Sequence, residues 1–260
     1  MKNKTVGIIG FGNMGSSIAQ GLKSKYPLFV FDKDKNKTKA AQGIKITDSL
    51  VDLAVQSDIL LLAVKPQDFD GVLTELKDKT AGKLIISIAA GITTSYIEKL
   101  LPQAKVIRAM PNMPVVIGEG ITALVRGSFA DDKDLKIASR IFAIFGPAVT
   151  IEKEEFINAV TAISGSGPAY LFYFVMAILE AAKELNLDKD TANKLVYHTI
   201  VGSMNLLNKE NFDAIGLIGK VASKGGTTEA ALKIFDESKL NKIILNAIMA
   251  AYKRAGELSR

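Results

Sequence analysis

Up to about residue 152, short runs of β-branched and aliphatic residues alternate with stretches whose apolar positions recur every three to four residues. Eight of these runs predict strands: residues 5–10, 27–31, 44–46, 58–64, 84–87, 105–109, 121–125 and 148–151. Between most of them lie helical patterns, among them residues 14–23, 49–56, 67–76 and 131–145. Alternation of this kind predicts a parallel sheet with helices on both faces. The run Asp58-Ile59-Leu60-Leu61-Leu62-Ala63-Val64 is apolar after its first residue. A strand buried on both faces reads this way, whereas a half-exposed strand alternates.

After Glu152 the texture changes to helical periodicity alone, with predicted helices at residues 154–163, 168–185, 189–208, 213–222, 228–237 and 240–258. Pro168 suits a first helical turn, where its missing N–H leaves no bond unmade. Residues 169–179 are apolar nearly all round. Such a helix must be buried on every side, which predicts that a partner subunit covers it and that the minimal unit is a dimer. The same stretch ends at Glu180 and is shorter than the roughly 20 residues that cross a bilayer, so no membrane association is expected.

Composition narrows the chemistry. A hydrophobic fraction of 48% with 23% charged residues is that of an ordinary globular protein. With no cysteine, disulfides, thiol catalysis and cysteine-held metals are excluded. Met1-Lys2-Asn3-Lys4 leads into the first strand without the apolar core of a signal peptide, and a cytoplasmic location is the simplest expectation. The net charge is +6, and seven lysines fall between Lys23 and Lys45, interrupted by Asp32 and Asp34. No nucleic-acid-binding motif accompanies them. They read as a solvated edge, or as partners of a phosphate-bearing cofactor.

That cofactor is indicated by Gly10-Phe11-Gly12-Asn13-Met14-Gly15, which follows a predicted strand and opens a predicted helix. The GxGxxG pattern is weak alone and specific in this setting. Gly10 permits the tight turn, Gly12 lets the backbone approach a pyrophosphate, and Gly15 allows helix to pack on strand. The helix N-terminus offers unpaired N–H groups to the phosphates. The expected fold class is therefore α/β: a Rossmann-type dinucleotide-binding domain over residues 1–152, then an all-α substrate-binding and dimerisation domain over 153–260. Asp32, 22 residues after Gly10, is placed to accept the ribose 2′-OH of NAD. Lys33, Lys35 and Lys37 beside it could instead bind the 2′-phosphate of NADP. The reading leans to NADH through Asp32.

Ligands in open α/β sheets bind beyond the carboxyl ends of strands. Three segments stand at such ends: Ala63-Val64-Lys65-Pro66, Ile88-Ala89-Ala90-Gly91 and Met110-Pro111-Asn112-Met113-Pro114. Lys65 could bind a cofactor ribose or a substrate carboxylate, and the proline-stiffened third segment suits a wall of the nicotinamide pocket. In the helical half, Ser164-Gly165-Ser166-Gly167-Pro168-Ala169-Tyr170 and Val221-Ala222-Ser223-Lys224-Gly225-Gly226-Thr227-Thr228-Glu229-Ala230 are glycine-rich where helices should be continuous. Gly225-Gly226 expose backbone N–H groups at a helix start, an anion site suited to a carboxylate. Ser223, Thr227 and Thr228 add hydroxyl donors.

With the glycine fingerprint, the AVKP tetrapeptide, the MPNxP loop and SGSGPAY, this second segment resembles pyrroline-5-carboxylate reductases over nearly the whole chain and in order. The family's usual loop reads Ser-Pro-Gly-Gly-x-Thr, and Lys224 stands in place of its proline, a departure that bears on affinity more than on reaction type. The resemblance implies hydride transfer from NAD(P)H to the imine carbon of 1-pyrroline-5-carboxylate, giving L-proline. It implies an active site at a dimer interface, with Thr228 nearest the imine nitrogen. Thr228 and Lys65 are the candidate catalytic residues, and Ser223, Gly225, Gly226, Thr227 and Asn112 the candidate substrate ligands. Cofactor contacts are expected from residues 10–15, Asp32, Lys33, residues 63–66, Ala89 and Ala90. His198 has no acidic neighbour in sequence and reads as structural.

Three other functions compete. A β-hydroxyacid dehydrogenase resembles the chain in plan, but that family has a catalytic lysine four residues after the second glycine of Gly165-Ser166-Gly167, where this chain has Leu171. Alcohol oxidation needs such a base. A cofactor sensor without turnover is opposed by the intact Gly225–Thr228 loop. A reductase of a six-membered cyclic imine differs by one methylene, which sequence does not resolve.

Overall fold

The computed structural model describes residues 4–102 and 104–260; the lead-in Met1-Lys2-Asn3 lies outside them. Two compact units divide the chain. One holds the residues up to Pro168 together with Ala251–Arg260, and the other is Ala169–Ala250.

The first unit is a sheet sandwiched by helices. In chain order it contains β1 (Val6–Ile9), α1 (Asn13–Leu22), β2 (Leu28–Phe31), α2 (Lys35–Thr38), β3 (Lys45–Ile46), α3 (Leu50–Gln56) and β4 (Ile59–Leu62). These are followed by α4 (Phe69–Leu76), β5 (Leu84–Ser87), α5 (Thr94–Leu100), β6 (Lys105–Pro111), β7 (Thr122–Arg126), α6 (Asp132–Phe142) and β8 (Ala148–Thr150). The eight strands lie in the order β3-β2-β1-β4-β5-β6-β7-β8. Successive side chains on a strand point to opposite faces, and the two cores divide accordingly. Ile8, Leu61 and Ile86 join Ile18 and Leu22 of α1 and Phe142 of α6 on one face. Ile9, Leu60, Leu62 and Ile85 join Leu53 of α3, Leu73 of α4 and Ile97 of α5 on the other. All residues of β1, β4 and β5 are buried, which is why their sequences run without alternation.

The sheet is not wholly parallel, correcting one expectation: β7 runs antiparallel to β6. Residues 112–121 link them through one short 3₁₀ segment, Met113–Ile117, too little chain for the crossover of a dozen or more residues that parallel pairing requires. Parallel order resumes at β8, reached through α6.

After β8 the chain turns through a 3₁₀ segment, Glu154–Phe156, and α7 (Ile157–Val160). The helix predicted over 154–163 is thus broken. A turn of π-helix over Thr161–Gly165 follows, closed by Ser166 N–H donating to the Thr161 carbonyl at 2.8 Å. Then come α8 (Gly167–Glu184), α9 (Lys189–Lys209), α10 (Ala214–Val221), α11 (Thr227–Glu237) and α12 (Leu240–Leu258).

The expectation that residues 169–179 are buried on every side is not met within one chain. Ala182 is the one buried residue of α8, while Phe172 and Tyr173 are 58% and 70% exposed. Taken end to end, the helical segments over Glu154–Glu184 are also longer than the apolar stretch read from sequence. Their 31 residues include a window of mean hydropathy 1.5, so length and composition alone do not bar them from a bilayer.

Candidate functional site

The glycine turn after β1 is locked by backbone contacts and open where a ligand would enter. Gly10 has φ +97°, and a Cβ there would lie 2.7 Å from the Ala63 carbonyl oxygen at the end of β4. A Cβ on Gly15 would stand 2.1 Å from the Gly10 carbonyl oxygen. Gly12 differs: apart from the adjoining residues of the turn itself, no atom lies within 4 Å of the position its Cβ would take. Gly12 also caps α1 without any side-chain hydrogen bond, leaving first-turn N–H groups such as those of Asn13 and Met14 without intrahelical acceptors. Empty space and unused donors at one helix start fit a pyrophosphate. Phe11 is buried in the core and anchors the turn.

Asp32 stands just beyond β2, as expected, yet it is already engaged. One carboxylate oxygen accepts the Phe11 N–H at 2.7 Å and the other the Asp34 N–H at 2.8 Å. Its side chain is 7% exposed, with the Lys37 ammonium 3.7 Å away. Asp32 ties the glycine turn to the loop after β2. Lys33 reaches Asp68 at 2.5 Å, and this hydrogen-bonded carboxylate raises its pKa above the ordinary lysine value. The pair joins the loops after β2 and β4.

The other strand-end segments gather at the same sheet edge. Ala63 and Val64 are half-buried, Lys65 is exposed, and Pro66 opens a 3₁₀ turn, Pro66–Asp68. Ala89 is buried and Ala90 exposed after β5. The Asn112 side-chain oxygen accepts the Ile121 N–H at 2.9 Å, and its own N–H donates back to the Ile121 carbonyl. It therefore clasps the β6–β7 link. A Cβ on Gly165 would come within 2.8 Å of the Met110 Cε, so the SGSG segment packs against the MPN loop.

In the second unit, Thr227 begins α11 and Gly226 caps it. The two glycine N–H groups read as free are both occupied. Gly225 donates to the Glu229 carboxylate at 2.6 Å, and Gly226 to the Ser223 carbonyl at 2.9 Å. The first-turn N–H groups of Thr227, Thr228 and Glu229 are the ones a helix leaves without internal acceptors. Thr228 is half-buried, and Ser223 and Thr227 are exposed. An open groove of about 630 Å3 runs along Gly225, Gly226, Glu229 and Lys233. His198 is exposed and stacks edge-on against Tyr197, ring centres 5.2 Å apart.

Sequence reading missed a polar cluster in the first unit. Arg108, 2% exposed on β6, donates to a Glu154 carboxylate oxygen at 2.8 Å. That oxygen also accepts the Thr94 N–H at 2.9 Å, and the other accepts the Thr94 hydroxyl. An arginine inside the apolar run Val106-Ile107-Arg108-Ala109 was the available signal, because a buried guanidinium requires a partner. Glu229 had a signal too, being an acid at the third position of a helix, where it can reach back to the chain entering the helix.

Comparison with known proteins places the chain. Residues 154–258 match the family described as pyrroline-5-carboxylate reductase dimerisation, and residues 5–91 match NADP oxidoreductase, coenzyme F420-dependent. A pyrroline-5-carboxylate reductase of Haemophilus influenzae is 35% identical over 267 residues, covering 99% of this chain and 98% of the relative. The structure of a pyrroline-5-carboxylate reductase from Coxiella burnetii superposes with a TM-score of 0.90 at 34% identity, covering 99% of both chains. That of Plasmodium falciparum pyrroline carboxylate reductase with NADP bound gives a TM-score of 0.92 at 29% identity over the whole of both chains. With relatives this similar along its full length, the chain belongs to the pyrroline-5-carboxylate reductase family.

Proposed function

We propose that this chain reduces 1-pyrroline-5-carboxylate to L-proline with NAD(P)H. The geometric observation that carries the reading is the glycine turn, whose Gly12 opens onto empty space at the start of α1. Full-length relatives bearing the reductase name supply the substrate. When bound, the nicotinamide cofactor supplies the hydride that the imine carbon receives.

The chain's own residues do the rest. Asn13 and Met14 offer N–H groups to the pyrophosphate, and residues 63–66, Ala89 and Ala90 line the cofactor from the ends of β4 and β5. Lys65, exposed beside that edge, holds a ribose hydroxyl or the substrate carboxylate. In α11, the first-turn N–H groups and the Thr227 hydroxyl receive the substrate carboxylate, and the Thr228 hydroxyl bonds the imine nitrogen. Most of the rate comes from positioning and fixed dipoles, since a protonated imine needs no strong general acid. Both Asp32 oxygens hold backbone N–H groups and its side chain is 7% exposed, which leaves little of it open to a ribose hydroxyl, and NADPH is accepted at least as well as NADH.

The functional division falls at 152/153, a reading supported by the dimerisation match beginning at Glu154. A homodimer is the minimal unit, and a cytoplasmic location accords with this reading. The test is the fall in absorbance at 340 nm with 1-pyrroline-5-carboxylate and each cofactor. Turnover with the six-membered homologue alone would move the substrate assignment; binding of both cofactors without turnover would leave a sensor.

A further inference from the structure

The loop between β5 and α5, residues 88–93, carries Ala89 and Ala90, and it is held from outside by chain segments remote in sequence. On one side, both oxygens of Glu154 are taken by Thr94, the first residue of α5, through its N–H at 2.9 Å and its hydroxyl. Arg108 fixes that carboxylate from β6 at 2.8 Å. Arg108 lies beside Ser87 in the sheet register, so the clamp is anchored to the strand that launches the loop. On the other side, the Arg260 N–H donates to the Gly91 carbonyl at 2.7 Å, and the Thr93 hydroxyl donates to the Arg260 carbonyl. Gly91 has φ +75°, and a Cβ there would lie 2.4 Å from the Leu258 carbonyl oxygen.

We infer that Glu154 is a positioning residue for hydride transfer: seated by Arg108, it sets the height of the 88–93 loop and so the nicotinamide half of the bound cofactor. The inference rests on the assignment of Ala89 and Ala90 to the cofactor site. A carboxylate is suited to the task because it accepts from the guanidinium and from two donors of one residue at once. Its two oxygens fix Thr94 in place and orientation, and hydrogen bonds to a charged acceptor are the strong ones. The Arg108 Nε and second terminal nitrogen have no hydrogen-bond partner among the described residues, so this buried guanidinium leans on Glu154 for its pairing.

The experiment uses the full-length enzyme with Glu154→Gln, Thr94→Val and Ala90→Val. Steady-state constants, the isotope effect with 4-deuterated NADPH, and affinities for NADPH and for 2′-phospho-ADP-ribose, which lacks nicotinamide, are measured. The expected result for Glu154→Gln is a kcat lowered about 10-fold or more, as misplacement by about an ångström does. The isotope effect rises, and 2′-phospho-ADP-ribose affinity stays within about twofold. Thr94→Val, which removes only the hydroxyl bond, shifts the same constants less, and carries the test if Glu154→Gln does not fold. Unchanged kcat and isotope effect overturn the inference, as does a parallel loss of 2′-phospho-ADP-ribose affinity, which marks general loosening. If Ala90→Val leaves NADPH binding and kcat intact, the cofactor assignment of the loop is what fails. If Ala90→Val impairs them while the other two variants do not, the positioning role alone fails.

Discussion

Replacing Gly12 by alanine separates the two jobs of the glycine turn. The backbone at Gly12 has φ −76° and ψ −169°, a conformation open to any L-residue, and beyond its two chain neighbours the added methyl meets no atom within 4 Å. Alanine is a poorer cap than glycine, while it restricts the unfolded chain by about 0.4–1 kcal/mol in the opposite sense. Folding stability should therefore change by no more than about 1 kcal/mol. The methyl does stand where a pyrophosphate must approach. A phosphate pushed outward loses one charge-assisted hydrogen bond, about 1.5–3 kcal/mol, and tenfold in Kd is about 1.4 kcal/mol. Affinity for NADPH should fall about 10- to 100-fold. Gly15→Ala should behave in the opposite way, because its methyl would lie 2.1 Å from the Gly10 carbonyl oxygen and backbone must move. Overpacking of that kind costs about 1–3 kcal/mol or more. Calorimetric titration with NADPH and thermal unfolding, run on both variants, read the two effects. Should Gly12→Ala bind NADPH as the parent does, the empty space is not the phosphate site. A large fall in its Tm would show that the space is not empty.

Thr228→Ala should lower kcat/KM about 10- to 1000-fold, within the usual worth of a positioned polar group; an unchanged value in the 340 nm assay removes Thr228 from the mechanism. Asp32→Ala frees the Phe11 and Asp34 N–H groups together, so Kd for NADH and NADPH should rise by similar factors; a loss confined to NADH would make Asp32 a ribose ligand after all. At the start of α6, N–H groups led by that of Asp134 hold the Asp131 carboxyl below its ordinary pKa. A depressed folded-state pKa contributes stability above the unfolded value and loses it as pH falls through the folded one. Asp131→Asn keeps an acceptor that cannot titrate, and its Tm deficit should shrink as pH is lowered from about 5 towards 2.

Strand positions were legible because a strand buried on both faces is apolar nearly throughout, as β4 is at every residue and β5 is up to Ser87. The direction of β7 was not, since alternation carries no sense of direction and only the short link after Pro111 decides it. Two helices escaped notice for different reasons. α2 spans four residues, Lys35–Thr38, too few to show a period. α5 buries only Thr94 and Ile97, and its first N–H is satisfied by Glu154, far away in sequence. The candidate site was legible where the backbone geometry demands glycine, at Gly10 and Gly15. It was illegible where polar groups choose one another in space: Asp32 bonds the turn, Asn112 bonds Ile121, and Glu229 takes the Gly225 N–H.

That last bond bears on the turnover cycle. The Glu229 carboxylate sits on the Gly225 N–H at 2.6 Å, so the loop's own acid pairs this donor before any ligand arrives. Under the proposed reading the substrate carboxylate goes to the first-turn N–H groups of α11 instead, and the Gly225 donor has no need of it. A product that leaves then strands no bare donor in the loop.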